Sequence, residues 1–178
     1  MIHCKELPKR ILAFDPCHRG IGFVVLESGN RLVDCGVYRI ANLQRDTVSC
    51  PLRSLILRYQ PSHIVTECTE AAATRRGSRA KTIVEAVAAV GKESNSPVSR
   101  YSIAQVRVVF SRWKVGKKSA RAAILVNNFP VLRMYLPPRR RPWMSEDPRM
   151  AIFDALSFAI THLALAQEQD DTKQDIPY

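Results

Sequence analysis

The sequence predicts an α/β domain, a mixed five-stranded sheet with helices on both faces. Three observations predict it. Residues 9–41 hold three successive β-like runs, and Ser28-Gly29-Asn30, a hairpin-turn signal, joins the second to the third. Two further β-like runs, at 63–67 and 97–103, each follow a helical pattern. The remainder reads as helices, the last one opening Met150-Ala151-Ile152-Phe153-Asp154-Ala155-Leu156. The order βββαβαβααα gives a mixed sheet with a hairpin at one edge and helices on its faces.

The elements follow in order. Ile11-Leu12-Ala13-Phe14 and Ile21-Gly22-Phe23-Val24-Val25-Leu26 are the first two strands. A helix over 46–59 carries Leu52, Leu55, Ile56 and Tyr59 as its apolar stripe, and Pro61 stops it. His63-Ile64-Val65-Thr66-Glu67 is the fourth strand. A basic stretch follows, and Ser78 then caps a helix over 79–92 with Ile83, Val84, Ala86, Val87 and Val90, ending near Gly91. Short helices are expected at 104–112 and 118–128, the second ended by Pro130. Pro137-Pro138-Arg139-Arg140-Arg141-Pro142 is a stiff basic loop. Asp147 reads as the N-cap and Pro148 as the first residue of a last helix running to Gln167. The expected organisation is an N-terminal extension over 1–8, one domain over 9–167 and a flexible acidic tail over 168–178.

Composition narrows the function. At 178 residues and 46% hydrophobic, the chain is one domain's worth with a real core. A net charge of +11 and a pI near 9.9 point to a polyanionic partner, nucleic acid first. No basic amphipathic helix of the membrane-lying type and no uninterrupted membrane span stands out, so a membrane is not expected. The cysteines, Cys4, Cys17, Cys35, Cys50 and Cys68, are odd in number and hold no CxxC pair. That argues against a zinc knuckle or a disulfide scaffold and for reduced thiols in the cytoplasm. Residues 1–10 lack the apolar core of a signal peptide.

Three carboxylates sit where carboxylates are costly. Asp15 ends the first strand, Glu67 ends the fourth, and Asp154 interrupts the most apolar helix. Singly, each has a plain structural reading: an Asp-Pro turn, a surface strand end, a buried ion pair. Together they suit a hard-cation site of the kind that hydrolyses phosphodiesters. His162 projects about 80° from Asp154 around the helix and reads as a packing residue.

Basic residues fall in three clusters: Arg75, Arg76, Arg79 and Lys81; Lys114, Lys117, Lys118 and Arg121; and Arg139, Arg140 and Arg141. They read as phosphate contacts, with an ordinary solvated face as the alternative. Trp113 and Trp143 adjoin them and are either base-stacking residues or core anchors.

Asp15-Pro16 followed by Gly20-Ile21-Gly22-Phe23-Val24-Val25 resembles the first strand pair of the RuvC Holliday-junction resolvases, within the RNase H-like superfamily. Ile64-Val65-Thr66-Glu67 is similar to their fourth strand with its catalytic Glu. Lys118-Ser119 resembles their active-site lysine region, and Phe153-Asp154-Ala155-Leu156 their C-terminal Asp-Ala-Leu helix. The resemblance implies an RNase H-like fold and a homodimer acting on branched DNA in recombination and repair. It implies two Mg²⁺ ions per site, replaceable by Mn²⁺, held by Asp15, Glu67 and Asp154, with Lys118 near the scissile phosphate. It also implies a dimer contact through residues 79–92, where Glu at Ala86 or Val87 is expected to interfere.

The chain departs from that pattern in four places. Cys17 replaces the usual Gly, Ala151 replaces an acid or His one turn before the helical Asp, and Glu70 replaces an aromatic wedge. The segment between the third and fourth strands is short. Glu70, Glu146 and Asp147 are the candidates to replace the ligand missing at Ala151, although Asp147 lies about 10 Å along the helix axis from Asp154. The alternatives are a nucleic-acid-binding protein with weak or no catalysis, and an RNase H-like nuclease that processes RNA. Asn at position 15 or 154 is expected to remove cleavage and relieve repulsion among the acids.

Overall fold

The computed structural model describes residues 9–28, 31–70, 77–138, 140–141 and 143–174, with side chains described as far as residue 167. The strands are β1 (Arg10–Cys17), β2 (Gly20–Glu27), β3 (Arg31–Arg39), β4 (His63–Glu67) and β5 (Val98–Tyr101). They form one sheet in the order β3-β2-β1-β4-β5. β1, β2 and β3 pair antiparallel, and β1, β4 and β5 pair parallel. The helices are α1 (Arg45–Tyr59), α2 (Ser78–Glu93), α3 (Ile103–Ser111), α4 (Lys118–Asn128) and α5 (Met150–Gln174), with a 3₁₀ turn at Pro130–Tyr135.

Both faces of the sheet are covered, so β1 and β2 are apolar without alternation. Side chains still alternate between two cores. Leu12, Phe14, Ile21, Val25 and Ile64 pack with α1 and α2. Ile11, Ala13, Val24, Leu26 and Val65 pack with α3, α4 and α5. Continuing that alternation, Asp15 and Glu67 face the α5 side. Gly22, the β2 partner of Asp15, lies beneath Ala151 of α5. A Cβ added at Gly22 would stand 2.5 Å from the Ala151 Cβ, so only Gly lets α5 lie this close to the sheet.

Several expectations need correction. α5 starts at Met150, because its first turn closes through i→i−3 bonds from Met150 to Asp147 and from Ala151 to Pro148. It continues to Gln174 rather than stopping at Gln167. Met150–Gln167, of mean hydropathy 1.4, is long and apolar enough by composition to cross a membrane, contrary to the sequence reading. Here that apolarity serves the centre of the core, where α5 packs on β1 and β2. Val87 lies in the α1–α2 core at 1% exposure, so Glu there would disrupt the fold rather than report on an interface. The turn residues Gly29 and Asn30, and residues 1–8, lie outside the described residues.

Two histidines stack where β4 begins beside α5. His63 and His162 ring centroids are 4.1 Å apart, His63 meets Ser99 Oγ at 2.8 Å, and His162 Nδ1 meets Tyr101 Oη at 2.9 Å. His162 therefore packs, as its helical angle implied. Burial pushes its pKa down to about 4, and the charge of His63 adds to the shift. A neutral native imidazole means that the unfolded chain takes up the proton first as pH falls. Stability should thus be unaffected above the ordinary His pKa of about 6.5 and decline between there and pH 4. Allowing for solvent screening, about 1–2 kcal/mol is at stake. Urea midpoints at pH 7 and pH 4.5 should differ less for His162→Gln than for the wild type; equal pH dependence would refute the assignment.

Candidate active site

Asp15, Glu67 and Asp154 are 2%, 1% and 4% exposed. In the parallel β1–β4 ladder the register runs from Ile11 opposite His63 to Phe14 opposite Thr66. One step further along the two strands come Asp15, two residues before the end of β1, and Glu67, the last residue of β4. Asp154 lies one turn beyond Ala151 on α5, the helix that covers this end of β1 and β2. The hydroxyls of Ser157 and Thr161, on the same helical stripe, donate to the carbonyls of Phe153 and Ser157, so that stripe is satisfied within the helix.

α4 supplies two cations to Asp154. Lys118 Nζ reaches Oδ2 at 2.7 Å, and the Arg121 guanidinium reaches Oδ1 at 3.0 Å. Residues three apart share a helix face, so the first turn of α4 presents both at once. Lys118 also pairs with Glu146 at 3.3 Å. Burial disfavours the Lys118 charge most strongly of any single influence. Asp154, by charge and by hydrogen bond, then Asp15 and Glu146, together outweigh it and raise the Lys118 pKa above the ordinary lysine value. Arg121 is buried, with its guanidinium 5.9 Å from the Phe110 ring centroid.

Sequence reasoning counted Arg121 only as a member of a basic cluster. The missed signal is its place among Ala122, Leu125 and Val126, the buried residues of α4. An Arg on an apolar stripe calls for a buried anion, and the fold supplies Asp154.

An open cleft of about 920 Å³ adjoins these groups. His18 and Arg19, from the β1–β2 turn, line one part of it, with Lys117, Lys118, Arg140 and Glu146 elsewhere on its wall. The cleft reaches the buried carboxylates only through Lys118, which lines it and pairs with Asp154; its basic wall suits an anionic polymer.

The other named residues divide. Lys81, Lys114, Lys117, Arg140 and Arg141 are exposed. Arg79 uses part of its guanidinium within the fold, donating to the Ile40 carbonyl and tying α2 to the segment after β3. Glu70 is exposed and pairs with Arg100 at 3.0 Å. Asp147 accepts hydrogen bonds from the Arg149 backbone N–H at 2.9 Å and from its guanidinium at 2.7 Å. Those hydrogen bonds hold its carboxyl below the usual range and close a local turn ahead of the helix; because α5 begins only at Met150, Asp147 does not stand at the N-cap position expected for it. Arg75, Arg76 and Arg139 lie outside the described residues. Among the described residues, no three His, Cys, Asp or Glu side chains come close enough together to hold one metal ion. The pair of cations on α4 accounts for this at Asp154, whose two oxygens both carry a positive partner.

The mixed sheet with α5 across its antiparallel half is an RNase H-like fold. Within that class the chain resembles RuvC-type resolvases in fold. It is similar to Thermus thermophilus RuvC, solved in complex with a Holliday junction substrate, at 19% identity and a TM-score of 0.65, over 90% of this chain and 96% of that one. Another T. thermophilus RuvC structure gives 17% and 0.66 over the same shares. The yeast mitochondrial Holliday junction resolvase Ydc2 gives 13% and 0.58, over 95% of this chain and 85% of that one. At these identities the likeness is one of fold. No family model and no curated protein sequence matches the chain.

Proposed function

We propose that the protein is a metal-dependent, structure-specific DNA endonuclease that cuts branched DNA such as Holliday junctions, working as a cytoplasmic homodimer in recombination or repair. The observation that carries this reading is the placement of two buried carboxylates, Asp15 and Glu67, near the ends of adjacent parallel strands, with Lys118 reaching in from α4. The donors are all carboxylate oxygens, which fit Mg²⁺ or Mn²⁺ and leave room for water and phosphate. Asp15 and Glu67 would hold the ion, and Asp154 would join once Lys118 releases Oδ2. Bound cations, two being expected, supply the charge that activates an attacking water and stabilises the leaving oxygen. Lys118, freed from Asp154, meets the charge that builds on the phosphoryl oxygens. Arg121 keeps Asp154 in one orientation throughout. Lys117, Arg19 and Arg140 hold the strand in the cleft. A two-fold dimer would set two such sites on two strands.

The test is cleavage of labelled four-way junction, flap, duplex and RNA substrates with Mg²⁺, Mn²⁺ or EDTA. Cutting of branched DNA that requires the metal is the expected result; preference for RNA, or cutting in EDTA, would contradict the reading. The occupied oxygens of Asp154 favour a second reading, a branched-DNA-binding protein that cuts slowly or not at all. A single substitution separates the two. Position 151 lies over Gly22, beside Asp15. Ala151→Asp places a further carboxylate there, so it should lower the melting temperature in EDTA, recover it in Mn²⁺ and raise cleavage. A loss of stability that Mn²⁺ does not restore would show that no cation binds there.

A further inference from the structure

We propose that Trp143, with Arg141 against it, is a stacking site for an unpaired nucleobase at the rim of the basic cleft. The proposal rests on the reading above for its polymer and names the part of the branched DNA that this site takes. Trp143 is 76% exposed, an unusual cost for so large an apolar side chain. Its surroundings give that exposure a use. The Arg141 guanidinium stands 5.7 Å from the indole centroid. Arg140 Nε donates to the Met144 carbonyl at 2.5 Å, and the Met144 N–H donates to the Arg141 carbonyl at 3.0 Å. The ring therefore projects from a hydrogen-bonded turn.

Arg140 and Met144, which bracket that turn, both line the cleft. Two residues on, Glu146 pairs with Lys118 at 3.3 Å, so the same segment is fastened to the lysine that holds Asp154. A strand whose phosphates follow Lys117, Lys118 and Arg140 would carry its bases past Trp143. An indole face backed by a guanidinium offers such a base a π surface and a positive charge, and it accepts any base because every base has a π face. Inside a duplex both faces of a base are already stacked. The ring can therefore be used only by a base released from the stack, at a branch point or in a single strand. Trp113 also has a guanidinium beside it, Arg112 at 5.5 Å, but it is only 41% exposed, its ring packs on Phe110 at 5.2 Å between centroids, and no residue from 111 to 115 lines the cleft.

The chain has two tryptophans, so Trp113→Phe leaves Trp143 as the only indole. In that background, in EDTA, the protein is titrated with a four-way junction and with a linear duplex of the same arm sequences. Indole emission should be quenched by the junction more than by the duplex. Adding Trp143→Ala should weaken junction binding about tenfold, while duplex binding and its salt slope stay unchanged because the phosphate contacts remain. Trp143→Phe should recover most of the loss. An unchanged junction-to-duplex ratio in Trp143→Ala, with unquenched emission from the junction-bound Trp113→Phe protein, overturns the stacking site even if cleavage is normal. Binding that depends on Trp143 without metal-dependent cleavage upholds the stacking site and removes the nuclease reading instead. Failure to bind any DNA removes both.

Discussion

Asp15→Asn should reduce junction cleavage by about a thousandfold, some 4 kcal/mol of transition-state stabilisation, and leave junction affinity within about threefold of the wild type. Asp15 and Glu67 lie one step beyond the Phe14–Thr66 pair of the parallel ladder and are nearly inaccessible to water, so two like charges are held on adjacent strands. Neutralising one removes half of the attraction for a cation. It also relieves the repulsion, so stability in EDTA should not fall. The stabilisation that Mn²⁺ gives the wild type should vanish in the variant. Thermal melts with and without Mn²⁺ check this independently of activity. A variant that still gains stability from Mn²⁺ would show that the ion binds elsewhere.

Arg121→Met should destabilise the protein by about 3 kcal/mol, as removal of one partner from a buried ion pair does. Asp154 is left with Lys118 alone, and Lys118 is shared with Glu146. Methionine suits the slot against Phe110, so lost packing is a minor part of the effect. The same geometry revises the expectation for Asp154. Its substitution strands a buried guanidinium, so Asp154→Asn should cost stability as well as cleavage, unlike Asp15→Asn. The double variant Arg121→Met with Asp154→Leu replaces the pair by apolar groups and should recover to within about 1 kcal/mol of the wild type. Urea denaturation of the wild type, Arg121→Met, Asp154→Leu and the double variant closes the cycle, and additive losses would show that the two side chains are not coupled.

The readable part of the fold is the part governed by local pattern. Buried strands bounded by turns, and Pro61, Gly91 and Pro130 at helix ends, reveal themselves over a few residues. The acids of the site are readable for a related reason, because Asp15, Glu67 and Asp154 interrupt runs that otherwise exclude charge. What pairs with them is less readable. Arg121 and Asp154 are 33 residues apart, and nothing in the local pattern of α4 says which anion a buried Arg will meet. Arg79 shows the converse. In sequence it belongs to a basic run, yet its guanidinium is used on the Ile40 carbonyl, a contact set by how α2 docks beside β3. The start of α5 at Met150 rather than Pro148 reflects a first turn closed by i→i−3 bonds, a local choice that the Asp147-Pro148 signal does not distinguish.

The central claim is that the carboxylates near the ends of β1 and β4 hold a cation that cuts branched DNA. Single-turnover cleavage of an end-labelled four-way junction, with protein in excess and Mn²⁺ or EDTA present, tests it most directly. The account predicts cleavage in Mn²⁺, none in EDTA, and none for Asp15→Asn under conditions where the variant still binds the junction. Equal rates for Asp15→Asn and the wild type, or an intact junction in Mn²⁺ despite saturated binding, would contradict it.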